Sequence, residues 1–101
     1  MANTPTAFFR GAATTTVTTT LATVPAATTW IVTDVVVTNT GSAAYTFDLA
    51  LDGVKVATTV SVAANSINNL SFKQVLTTGK IIAGGASNVA VNFHISGIAI
   101  T

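Results

Sequence analysis

Trp30-Ile31-Val32-Thr33-Asp34-Val35-Val36-Val37-Thr38-Asn39 decides the fold class, because it is the longest run in which both alternating faces are largely apolar. Trp30, Val32, Val36 and Thr38 fall on one face, and Ile31, Val35 and Val37 on the other. β-Branched side chains suit a pleated surface, so the run reads as a central strand. A strand apolar on both faces must be covered twice, which calls for a sandwich.

Toward the amino end, Ala13 to Val24 alternates threonines with Val17 and Leu21, an edge-like strand with a hydroxyl face that Pro25 terminates. Residues 1–12 read as an extended arm, polar to Thr6 and then carrying Phe8, Phe9 and Arg10. Adjacent aromatics in a strand point to opposite faces, so one lacks a home in the chain's own core. That makes Phe8, Phe9 and Arg10 candidate assembly contacts. The competing reading is a short edge strand that buries Phe8 or Phe9 internally. On the arm reading, removing residues 1–10 leaves the sandwich folded.

Toward the carboxyl end, Asn39-Thr40-Gly41-Ser42 is a turn. Tyr45, Phe47, Leu49 and Leu51 then alternate inward, and Asp52-Gly53 closes a hairpin because both turn positions need positive φ. The return strand sets Val54, Val56, Val60 and Val62 on one side. Ile67 to Leu76 is a strand with Leu70 and Phe72 inward, bent near Asn68, Asn69 and Lys73. Ile81 to Ala83 is a short strand, and Gly84-Gly85-Ala86-Ser87 a turn. In the last strand Val89, Val91, Phe93 and Ile95 share a face while Ile98 and Ile100 have the opposite parity, which places a bulge at Ser96-Gly97. The expected fold is all-β: a single antiparallel β-sandwich, jelly-roll or immunoglobulin-like, of about seven to eight strands over residues 13–101, preceded by the arm.

The chain has 101 residues, enough for one domain with its own core. It has no cysteine, so disulfides and thiolate zinc sites are excluded. Charged residues make up 7% and the hydrophobic set 50%, which suits a rigid subunit packed among others. A net charge of +1 offers little to phosphates, so neither nucleic acid nor an anionic membrane is an expected partner. The first residues show no signal peptide, and Ile81 to Thr101 alternates in the strand period rather than reading as a spanning helix.

Chemistry is sparse. His94 has no nucleophile or orienting acid in any motif, and reads as a plain strand histidine. Asp34, Asp48 and Asp52 lack a calcium-loop pattern, although Asp48 and Asp52 share a face. Asp34, on the face of Trp30 and Val32, must either be paired, with Lys or Arg as partner, or emerge at an opening or interface, and the structural pairing is the favoured reading. Asn69-Leu70-Ser71 matches the glycosylation sequon, and Gly84-Gly85 is too short for a phosphate loop. No catalytic, metal or cofactor residue is expected, and the chain is not expected to be an enzyme.

Leu21-Ala22-Thr23-Val24-Pro25, the strand ending Val37-Thr38-Asn39-Thr40, Leu49-Ala50-Leu51-Asp52-Gly53, Val62-Ala63-Ala64-Asn65-Ser66 and Asn92-Phe93-His94-Ile95-Ser96-Gly97 together resemble small virion proteins of tailed bacteriophages. The likeness runs from about Phe8 onward through turn and strand-end signatures. It implies a β-sandwich displayed on a phage particle, first of all a capsid decoration (minor capsid) protein with no catalytic residues. The partners implied are the major capsid protein and copies of the chain itself, a homo-oligomer with a trimer favoured. The location implied is the virion, after synthesis in the host cytoplasm. One alternative is a tail or fibre adhesion module whose loops at 39–43 and 84–88 bind a host glycan. Another is a surface- or ice-binding threonine face on Thr14 to Thr20.

Overall fold

The computed structural model describes residues 2–101. Its eight strands are β1 (Asn3–Ala12), β2 (Thr20–Thr23), β3 (Thr29–Asn39), β4 (Tyr45–Leu51), β5 (Val54–Val62), β6 (Ser66–Leu76), β7 (Ile81–Ala86) and β8 (Val91–Ile100). They form two antiparallel sheets, ordered β1-β8-β3-β6 and β2-β7-β4-β5. Apart from the β4–β5 hairpin, successive strands cross between the sheets in the order of an eight-stranded jelly roll, so of the two sandwich types expected it is this one that forms. No helix of the described residues is long and apolar enough to cross a membrane.

The central strand is β3, flanked by β6 and β8. Its buried side chains are Trp30, Val32, Val35, Val37 and Asn39, a set that changes parity at Thr33. Pairing with both neighbours shifts register between Val32 and Asp34, so Thr33 is a bulge. The run's two apolar faces are thus largely one core face read through a slip; Val36 and Thr38, expected to share the face of Trp30 and Val32, lie on the opposite, outer one. Across the core, Phe93 of β8 meets Phe47 of β4 edge to face at 5.9 Å, which locks the sheets together.

The phase slip expected in β8 does not occur there. Val91, Phe93, Ile95 and Gly97 are all buried in unbroken alternation, while Ile98 and Ile100 stay half-buried on the outer face. The neighbours slip instead, β3 at Thr33 and β1 at Phe8. Gly97 permits this because a Cβ there would collide with the carbonyl oxygen of Ile31 and lie 2.9 Å from Phe8 Cε2.

Residues 3–12 are not a free arm. They pair with β8 from Asn3↔Ile100 to Ala12↔Asn92, and Ala2 and Thr101 extend the ladder with bonds of 2.9 and 3.0 Å. The bulge at Phe8 lets both adjacent aromatics turn inward, which regular alternation forbids: Phe8 stacks on Trp30 at 4.2 Å, and Phe9 packs on the core opposite Ile95. The edge-strand reading therefore describes this segment.

Of three further expectations, one holds and two change. The Asp52-Gly53 hairpin forms with both φ values positive, 55° and 75°, but Gly84 and Gly85 lie inside β7 rather than in a turn. Only a residue without a side chain fits there, since a Cβ on Gly84 would come 2.6 Å from the Asp48 carbonyl oxygen and one on Gly85 would strike Thr16 O. Third, the threonine run does not form a strand before Thr20. Thr14 and Thr19 bond each other through their hydroxyls at 2.6 Å, and Thr19 Oγ1 also donates to Thr16 O, so the flat hydroxyl ladder required for an ice-binding face is not built. Asn39, read as a turn residue, is buried and fully satisfied. Its Nδ2 donates to Ala43 O and Val62 O, and its Oδ1 accepts from Gly41 N–H, which pins the 40–43 turn to β5.

Candidate functional site

The seven Lys, Arg and Asp side chains are sorted by geometry into committed and free groups. Asp48, on the outer face of β4, is 7% exposed and bonds Lys55 Nζ at 2.5 Å and the Thr59 N–H at 3.0 Å. Thr59 has φ 49° in an irregular stretch of β5, so the carboxylate holds that bend in place. The Lys55 bond first, then the Thr59 N–H, hold the Asp48 carboxyl below its ordinary 3.8, against the opposing effect of burial. A depressed carboxyl stabilises the fold above its unfolded pKa, and that stability is lost as pH falls through the folded value. Thermal melts should therefore weaken below about pH 4, and Asp48→Asn should flatten that acid limb while lowering the neutral-pH Tm by several degrees. A variant with an unchanged acid limb would remove Asp48 from this role.

Asp52 takes Lys80 at 3.5 Å, with both side chains about half exposed, a surface pair worth little. Asp48 and Asp52, expected on one face, thus serve separate lysines. Asp34 does not find the cation expected for it. Its Oδ1 accepts from Ser71 Oγ at 3.1 Å and its Oδ2 from Thr33 Oγ1 at 3.2 Å, on the outer face of the first sheet. His94 is exposed on that face between Arg10 and Val36 of the flanking strands. Among the described residues no three His, Cys, Asp or Glu side chains come together.

Two cations remain. No carboxylate of the described residues lies within salt-bridge distance of Arg10 or Lys73. Of the candidate contacts Phe8, Phe9 and Arg10, Arg10 is the exposed one, because the two phenylalanines pack against the core.

Arg10 and Lys73 line two concavities on the outer face of the first sheet, of about 430 and 450 Å³. The first is bounded by Pro5, Ala7, Arg10, Ser96 and Ile98, the second by Ser71, Phe72 and Lys73, and Thr33 walls both. They lie where the register shifts of β1, β3 and β6 line up across the sheet. Bulges bend strands and re-aim side chains, which accounts for a hollow on a face that would otherwise be evenly pleated. Reading the sequence singled out Arg10 here but missed Thr33, Ser71, Lys73 and Ser96. The available signal was the break in the buried pattern at Thr33-Asp34. The loops proposed for a glycan fare differently: 39–43 is pinned by Asn39, and the first part of 84–88 belongs to β7.

No protein-family model matches the chain, and no curated protein does at a significant level. Among the solved structures similar to it are two crystal structures of a pentameric capsid protein isolated from metagenomic phage sequences. One is 18% identical over 96% of this chain, with a TM-score of 0.36. The other is 20% identical over 96%, with a TM-score of 0.30. The chain spans 58% and 59% of those proteins' lengths. At these values the likeness assigns no role.

Proposed function

We propose that the chain is a structural protein of a bacteriophage particle, and specifically a decoration protein that seats on the major capsid shell as a homo-oligomer. The observation that carries this reading is the β5/β6 side of the sandwich. Val54, Val56, Ile67 and Val75 are 43–68% exposed there, on two strands that are each the edge of a sheet. An edge that is apolar and unpaired is suited to contact with another protein, and natural monomers usually blunt such edges with charge. Only Lys55 and Lys73 are charged on these two strands, and Lys55 is committed to Asp48. Jelly rolls recur in viral capsid, lectin and cupin domains, a fold-level analogy. With one histidine and no glutamate, the chain is poor in the ligands a cupin metal site uses.

Quantitative mass spectrometry of purified particles of the encoding phage tests the proposal, with light scattering on the isolated protein alongside. The expected result is a fixed ratio of the chain to the major shell subunit, and a solution mass that is a small whole multiple of 10.2 kDa, a trimer foremost. Absence from the particle would overturn the virion role, a monomeric solution mass would overturn the homo-oligomer, and an oligomer that Val56→Lys leaves intact would overturn the edge as the self-contact.

A further inference from the structure

We propose that the two bulge-lined hollows that meet at Thr33 on the outer face of the first sheet together form a docking groove for an extended acidic polypeptide segment, with two carboxylates about four residues apart. The inference rests on the decoration reading and names the chemistry of the partner segment. Three observations converge on it. The register shifts of β1, β3 and β6 fall at one level, so the hollow crosses the strands of the sheet. The two cations without a carboxylate partner, Arg10 on β1 and Lys73 on β6, stand at its opposite ends. The floor between them joins apolar Ala7 and Ile98 to the hydroxyls of Thr33 and Ser96.

Spacing selects the occupant. β1 and β6 are three strand intervals apart, about 14 Å. Arg10, level with Val36 and Asn69, is offset by about 10 Å along the strands from Lys73, which lies opposite Thr33, so the two backbones are about 17 Å apart. Four residues of extended chain laid obliquely span about 13 Å, and the long arginine and lysine side chains reach over the rest. An acidic segment lying across the strands therefore brings one carboxylate to each cation. Arg10 can take its carboxylate in a forked pair of hydrogen bonds, whereas Lys73 acts as a point charge. Asp34, between them and bonded to Thr33 and Ser71, repels a third carboxylate at the centre and so favours a neutral middle.

The probe is a synthetic seven-residue peptide with aspartates four apart and threonine and valine between, titrated into ¹⁵N-labelled full-length protein. The expected result is saturable shifts centred on Thr33, Ser96 and Ser71, weakening with added salt. Arg10→Gln and Lys73→Gln should each loosen binding about 2- to 5-fold and the pair about 5- to 20-fold, with unaltered melts. No saturable binding, binding indifferent to the double variant, or binding of polygalacturonate in place of the peptide would each overturn the proposal. Shell binding separates the two readings. A double variant that decorates shells normally refutes the groove alone, whereas a wild-type protein that binds the peptide but not shells refutes decoration alone.

Discussion

Gly97→Ala should leave the chain unable to reach its native fold, or lower its Tm by more than about 10 °C. The added Cβ would meet the carbonyl oxygen of Ile31 as well as the Phe8 ring. A flexible side chain can swing away, but a carbonyl held in the β3–β8 ladder cannot. Overpacking usually costs about 1–3 kcal/mol, and this site belongs at or above the top of that range because the strands themselves must part. Differential scanning calorimetry of the purified variant reads the effect. A melt within a few degrees of wild type would mean that β1, β3 and β8 do not approach as closely as described.

Deleting residues 1–12 should be as damaging, which reverses the expectation attached to a free arm. The segment supplies the whole of edge strand β1, with nine paired positions along β8. Its loss removes Phe8 from Trp30 and Phe9 from the core, and bares the flank of β8. Full burial of a phenylalanine is worth about 1.5–3 kcal/mol and both rings are half-buried, so the two aromatics together supply about 2–3 kcal/mol, a sizeable share of the roughly 5–15 kcal/mol that holds a domain together, before the lost β1–β8 ladder is counted. The truncated chain should lose its cooperative melt or aggregate through its new edge. A truncated chain that melts cooperatively near the wild-type temperature would restore the arm to a role outside the fold.

The sandwich was legible because its signals are local. Period-two alternation in Tyr45 to Leu51 and the Asp52-Gly53 turn need no knowledge of distant residues, and both appear as expected. The bulges were not legible in place. A parity change marks either an inserted residue in that strand or apolar residues left on its outer face, and the strand's own sequence does not choose between the two. The bulge expected at Ser96-Gly97 is absent: β8 keeps its alternation, Ile98 and Ile100 stay on the outer face, and the inserted residues are Phe8 and Thr33 on the neighbouring strands, beside Gly97. Asp34 shows the same limit. Its need for partners followed from its place in a central strand, but that they are the hydroxyls of Thr33 and Ser71 depends on the pairing of β3 with β6. The hollow between Arg10 and Lys73 depends on all four strands of one sheet, and no single stretch encodes it.

Cosedimentation with empty shells of the encoding phage, assembled without this protein, tests the decoration role most directly. Binding should saturate at a fixed ratio to the shell subunit and raise the temperature at which the shells come apart, because a ligand of the intact lattice stabilises it by mass action. Failure to bind shells at any concentration, together with adsorption of the same protein to host cells or their envelope sugars, would contradict it.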